Sequence, residues 1–149
     1  MSRKVVHVVG TGTIGEPLIG LLCDFKEDLG IDEVSFHKNT PLTTDRSKVR
    51  SLISRGARLT THEQKFDGFN AIGLKPELHT EEAIDRATVV IDCTPKGFGH
   101  ENKQKFYEKY IKYYAKSGAK RQNNSRGQNT KGILYKIRCE APGNMIFCA

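Results

Sequence analysis

VVHVVGTGTIG, residues 5–15, decides how the rest of the chain is read. A β-branched run typical of a buried strand meets Gly10-x-Gly12-x-x-Gly15, and an apolar helical pattern starts at Ile14. Strand, glycines and helix in that order fit a dinucleotide-binding loop. Gly10 permits a tight turn off the strand, Gly12 lets the backbone approach a pyrophosphate, and Gly15 lets helix and strand pack closely. The ligand's charge would meet the unpaired N–H groups and the positive dipole end of the helix. The bland alternative is a glycine-bearing turn that holds no ligand.

Outward from this loop, Ile14, Leu18, Leu21, Leu22 and Phe25 recur at helical spacing and predict the inward face of a first helix, with Pro17 in its first turn. Residues 33–37 predict a second strand, whose end carries His37, Lys38, Asn39 and Thr40. A carboxylate there would bond the adenosine ribose of NAD, but the acids Asp32 and Glu33 lie at the strand's start. Lys38 with amide and hydroxyl donors suits a 2′-phosphate, so NADP, or either cofactor, is favoured over strict NAD. A solvated loop lysine is the alternative.

Thr43 or Thr44 can cap a second helix with Val49, Leu52 and Ile53 inward and Gly56 as its stop, and a third strand is expected around residues 58–60. Residues 63–78 read as a short helix and a turn covering the sheet. Thr80 opens another helix, with Glu81 and Glu82 at its positive end and Ala83, Ile84 and Ala87 inward. A strongly apolar strand follows at 88–93 and ends in Thr94-Pro95-Lys96-Gly97. Ligands of open parallel sheets sit at the carboxyl ends of strands where the strand order reverses, so Thr94 and Pro95 would border the nicotinamide. Cys93, in an apolar strand, reads as a small core residue before a nucleophile. Phe106, Tyr110, Tyr113 and Tyr114 share a helical face and read as core, and the lysines around them as a solvated face.

The alternation predicts an α/β doubly wound domain with a parallel sheet, Rossmann-like, over residues 1–117, followed by an irregular basic tail at 118–149. Length and composition agree with one domain: 149 residues, 37% hydrophobic and 28% charged, with no run long enough for a membrane span. A start in Arg3-Lys4 and a strand, with no signal peptide, predicts a cytoplasmic protein with reduced thiols. The four cysteines form no C-x-x-C pair, and with the scattered histidines suggest no metal site. Of the net charge of +7, the segment 118–149 carries +5, six Lys or Arg against Glu140. The body therefore makes no electrostatic case for binding nucleic acid.

This succession of motifs resembles the N-terminal cofactor domain of the archaeal-type (type II) glyceraldehyde-3-phosphate dehydrogenases. The matching pieces are the glycine loop with Thr13 and Ile14, the turn at residues 37–41 followed by a helix ending at Arg55-Gly56, the turn at 71–73, and the strand with its Thr94-Pro95-Lys96 end. The resemblance implies that Thr13 and Ile14 meet the cofactor through their backbone and that Lys38 and Asn39 lie near the adenosine ribose. It also implies a tetrameric, glycolytic oxidoreductase that oxidises glyceraldehyde 3-phosphate with NAD or NADP through a thiohemiacetal on cysteine.

The departures limit that reading. Such enzymes carry their cysteine in a Ser-Cys-Asn-Thr-Thr-Gly setting, whereas Cys139 sits in Arg-Cys-Glu-Ala-Pro and Cys148 one residue from the end. The polar, basic run at 121–129 replaces an expected strand and suggests a truncated chain, with a shift of reading frame near Lys120 as one origin. No catalytic residue is assigned, and the chain alone is expected to be inactive. A non-catalytic nucleotide-binding or regulatory module, its tail engaging an anionic partner such as RNA, is the alternative.

Overall fold

Residues 3–95 and 98–107 are described by the computed structural model of the chain. They form strands β1 (Val5–Val9), β2 (Glu33–His37), β3 (Arg58–Thr61), β4 (Leu78–His79) and β5 (Val89–Asp92). Between and after them run helices α1 (Gly15–Asp24), α2 (Arg46–Ser54), α3 (Phe66–Ala71), α4 (Thr80–Arg86) and α5 (Phe98–Asn102). The strands make one sheet in the order β4-β3-β2-β1-β5, and every pairing is parallel. The α/β parallel architecture is therefore as expected. β4, only two residues long and at the sheet edge, has no counterpart in the sequence reading.

Parallel pairing buries both faces of a strand, which is why β1 is apolar at four of its five positions and buried at all of them. Val6, Val8, Val34, Phe36 and Leu59 meet Ile19, Val49, Leu52, Phe69 and Leu74 from the α1, α2 and α3 region to form the larger core. On the opposite face Val9, Val90, Ile84, Ala87 and Tyr107 form a smaller one. Burying each large side chain contributes roughly 1.5–3 kcal/mol.

The first helix forms where expected but is turned differently. Ile19 is buried, Leu22 and Cys23 pack on the core, and Ile14, Leu21 and Phe25 are each at least half exposed. The cause is Gly15, which lies against the Gly10 carbonyl and so rotates the helix to put position 19 on the sheet. The sequence holds two apolar stripes on this helix, and the glycine contact selects the less obvious one. In α2, Val49 and Leu52 are buried as expected and Gly56 adopts φ +96 after its end. The cap is different: Thr43 and Thr44 sit in a 3-10 turn, Thr43–Asp45, and make no side-chain capping bond.

The amino-terminal edge of the sheet is held by one carboxylate. Glu33, 4% exposed, pairs with Arg3, Arg58 and Arg86, from before β1, from β3 and from α4. A buried carboxylate requires such partners. The acid at the start of β2 thus serves the fold, at the end of the strand away from the glycine loop. Among the described residues no helix is long and apolar enough to cross a membrane. Tyr110, Tyr113, Tyr114 and the tail at 118–149 lie outside the described residues.

Candidate functional site

The site lies where β1 stands between β2 and β5, at their carboxyl ends. From β1 the chain proceeds to β2, β3 and β4 on one side and returns to β5 on the other, which makes this the reversal point of the sheet. Gly10 leaves β1 at φ +100, donates its N–H to the His37 carbonyl (3.4 Å), and lies against the Cys93 backbone. A cavity of about 600 Å³ opens here, within the range of small-molecule sites.

Five of the expected residues line it: Gly10, Lys38, Asn39, Thr94 and Pro95. The two loops that lie 56 residues apart in sequence at Lys38 and Thr94 are thus brought to one cavity. Gly12, Thr13 and Ile14 stand exposed beside it and are not part of its wall, and Gly15 is buried beneath. A Cβ at Gly12 would have no atom within 4 Å, so the backbone there presents an open approach. A Cβ at Gly15 would fall inside the Gly10 carbonyl, 2.8 Å from its carbon. The helix–strand packing role assigned to Gly15 is met in full.

Lys38 is not a solvated loop lysine. It is 8% exposed, its Nζ lies 2.6 Å from Asp45 Oδ2, and it donates at 3.5 Å to Thr11 Oγ1 in the glycine loop. Its backbone is pinned to β3, with its N–H on the Thr60 carbonyl and its own carbonyl accepting from Thr61 Oγ1. Asn39 accepts at 2.8 Å from Lys65. Asp45 is a residue that sequence reasoning missed. Its signal was faint, since a helix-start acid seven residues beyond Lys38 reads as a dipole or cap residue.

Asp92, 2% exposed at the end of β5, was also missed as a site element. Its carboxylate accepts from the Thr94 N–H (2.9 Å) and hydroxyl, from Asn102 Nδ2 (3.1 Å) and from the Tyr107 hydroxyl (2.8 Å). It thereby sets the Thr94 turn and ties it to α5 and the π-helical turn Lys103–Tyr107. In this turn Tyr107 is fully buried and Phe106 is partly buried against the same core. Burial and then the neighbouring Asp92 charge push the Cys93 thiol up to about 11, which favours the protonated thiol near neutral pH.

The cavity floor is rich in imidazole. His37 bonds Thr80 Oγ1 through Nδ1 (2.9 Å) and meets His62 edge-on at 5.0 Å, and His62 in turn lies against Phe106. His7, two pairs further down the β1–β2 ladder, bonds Ser35 Oγ at 2.9 Å, and its Nε2 has no hydrogen-bond partner. Burial pulls both His7 and His37 down from 6.5 to about 3, with a smaller push on His37 from the charges of His7, His62 and Lys65. Because the unfolded chain binds these protons from about pH 6.5 and the folded chain does not until about pH 3, the stability they protect is complete above 6.5 and falls with pH below it. Each histidine costs about 1.4 kcal/mol per pH unit in that window. Urea melts should therefore shift to lower midpoints from pH 7 to 5, and His7→Gln should flatten the slope; a midpoint independent of pH would contradict the neutral burial.

Together these features define a class: a parallel α/β domain with its cavity at the reversal point of the sheet. The chain is similar to archaeal glyceraldehyde-3-phosphate dehydrogenases over roughly three quarters of its length. It is 30% identical to that enzyme from Pyrobaculum islandicum over 107 residues, which are 72% of this chain and 29% of the relative. The enzyme from Methanobacterium formicicum is 30% identical over 107 residues, 71% of this chain and 30% of the relative. That from Methanothermus fervidus is 26% identical over 121 residues, 80% of this chain and 34% of the relative. The chain thus spans about a third of the length of the curated relatives it matches. No protein-family model matches it.

Proposed function

We propose that this chain binds a nicotinamide dinucleotide in the 600 Å³ cavity and serves as the cofactor domain of an oxidoreductase of the glyceraldehyde-3-phosphate dehydrogenase kind. The observation that carries the reading is the open backbone at Gly12 in the same loop as the sealed contact of Gly15 with Gly10. A loop built only to pack a helix on a strand needs the second feature and not the first. The pyrophosphate would lie along Gly10, Gly12, Thr13 and Ile14 at the start of α1, the adenosine ribose beside Lys38 and Asn39, and the nicotinamide toward Thr94 and Pro95. Bound there, the nicotinamide ring would supply hydride acceptance. The residues of this chain hold and orient it: Asp92 fixes the Thr94 turn, and Lys38 is locked to the glycine loop through Thr11.

In a complete enzyme of this kind, aldehyde oxidation runs through a thiohemiacetal on an activated cysteine with a base beside it. Neither cysteine of the described residues fits the first role, since Cys93 is held as the thiol and Cys23 is a half-buried residue packed on the core. Purified protein titrated calorimetrically with NAD and with NADP tests the binding. Heat of binding with at least one dinucleotide is expected, and none with inorganic phosphate at equal concentration. Oxidation of glyceraldehyde 3-phosphate by the same preparation is expected to be absent, and steady turnover would show that residues outside this account provide the thiolate and base.

A further inference from the structure

The Lys38–Asp45 pair changes what the adenosine end of the cavity can accept. Lys38 is the cation that the strand-end turn offers to a ligand, and it is already neutralised, at 2.6 Å, by a carboxylate that is one-third exposed. Its ammonium also reaches Thr11 Oγ1 at 3.5 Å, so it stands between the glycine loop and the 3-10 turn that carries Asp45. With 8% exposure, it has little water to replace that counter-ion if it is pulled away.

We infer that Asp45 is the residue that sets cofactor choice in this domain, by holding Lys38 as an internal ion pair and so admitting a dinucleotide with a free 2′-hydroxyl while disfavouring one with a 2′-phosphate. This rests on the dinucleotide reading proposed above. A phosphate oxygen bonded to the Lys38 ammonium at about 2.8 Å would lie within about 5.5 Å of the Asp45 oxygen bonded to the same nitrogen. Two anions would then share one cation at the edge of a low-dielectric wall, or Lys38 would have to abandon Asp45. A hydroxyl brings no charge. It can accept from Lys38 or donate to a carboxylate without disturbing the pair. The acid that commonly performs this selection stands at the end of the second strand, where this chain has His37-Lys38-Asn39. Asp45 reaches the same place from the following turn, through the lysine.

The test uses the full 149-residue chain, with NAD and NADP titrated calorimetrically against wild type, Asp45→Asn and Asp45→Glu. Wild type is expected to prefer NAD. Asp45→Asn keeps the size and removes the charge, so NADP affinity should rise about tenfold or more while NAD stays within about threefold, as expected for one charge–charge contact near a protein surface. Asp45→Glu should keep the preference of wild type. Thermal melts run in parallel identify a variant that fails to fold, in which case Asp45→Ser, small and uncharged, carries the same comparison. Equal changes in both cofactors with Asp45→Asn, or a wild type that already prefers NADP, would overturn the inference while leaving dinucleotide binding intact. A folded wild type that binds neither would overturn the dinucleotide reading itself and this inference with it.

Discussion

Gly15→Ala is expected to destabilise the fold by about 3 kcal/mol or more. The added Cβ would fall inside the Gly10 carbonyl and 2.8 Å from its carbon, and both atoms are backbone. They cannot swing aside as a side chain would. Relief requires moving α1 off β1, which gives up the burial of Ile19 and the contacts of Leu22 and Cys23 with the core. Overpacking typically costs 1–3 kcal/mol where side chains can adjust, and a rigid backbone clash puts this case at about 3 kcal/mol or more. That is a large share of the roughly 5–15 kcal/mol available to a domain. Gly20→Ala on the same helix is the control. Its Cβ would meet the guanidinium of Arg55, the far end of a flexible chain paired with Asp24, and a cost of about 1 kcal/mol or less is expected. Urea unfolding followed by circular dichroism distinguishes them, and a Gly15→Ala protein within about 1 kcal/mol of wild type would show that the helix does not sit this close to the strand.

Gly12→Val should do the opposite. No atom of the chain lies within 4 Å of a Cβ at this position, and the residue is exposed, so the stability should stay within about 0.5 kcal/mol of wild type. The same open space is where a pyrophosphate would have to approach the backbone. A branched side chain there should lower affinity for NAD and NADP together by at least a hundredfold, about 2.7 kcal/mol, because the phosphate is held off the N–H groups at the start of α1. Calorimetric titration beside a urea melt reads both quantities. Unchanged binding by a folded Gly12→Val would mean that the ligand of this cavity does not cross the glycine loop. Two glycines three residues apart thus separate folding from binding, and one motif contains both.

Much of this was legible beforehand because it rests on local chemistry. The β-branched run 5–9 and the run 33–37 suit strands covered on both faces, as in a parallel sheet, and both appear as strands with the bounds expected. The apolar strand at 89–92 and the glycine loop had to meet because ligand loops gather at the reversal point of such a sheet. The orientation of α1 was also present in the sequence, in the requirement that Gly15 face the strand. The eye follows Ile14, Leu18, Leu21 and Phe25 instead, because their spacing is the stronger periodic signal.

By itself, then, the sequence determined the succession of strands and helices, the place of the glycine turn, and the two loops that border the cavity, since each follows from residue type and spacing within one element. Only the tertiary structure decided which groups neutralise one another. Glu33 finds Arg58 and Arg86, 25 and 53 residues away, and Asp92 finds Tyr107 across a turn and a helix. Lys38, legible as a cation, proves to be an occupied one because a 3-10 turn brings Asp45 to its ammonium. Charges act over distances in space and not along the chain, so a pairing that depends on how elements dock leaves no periodic trace in the order of residues.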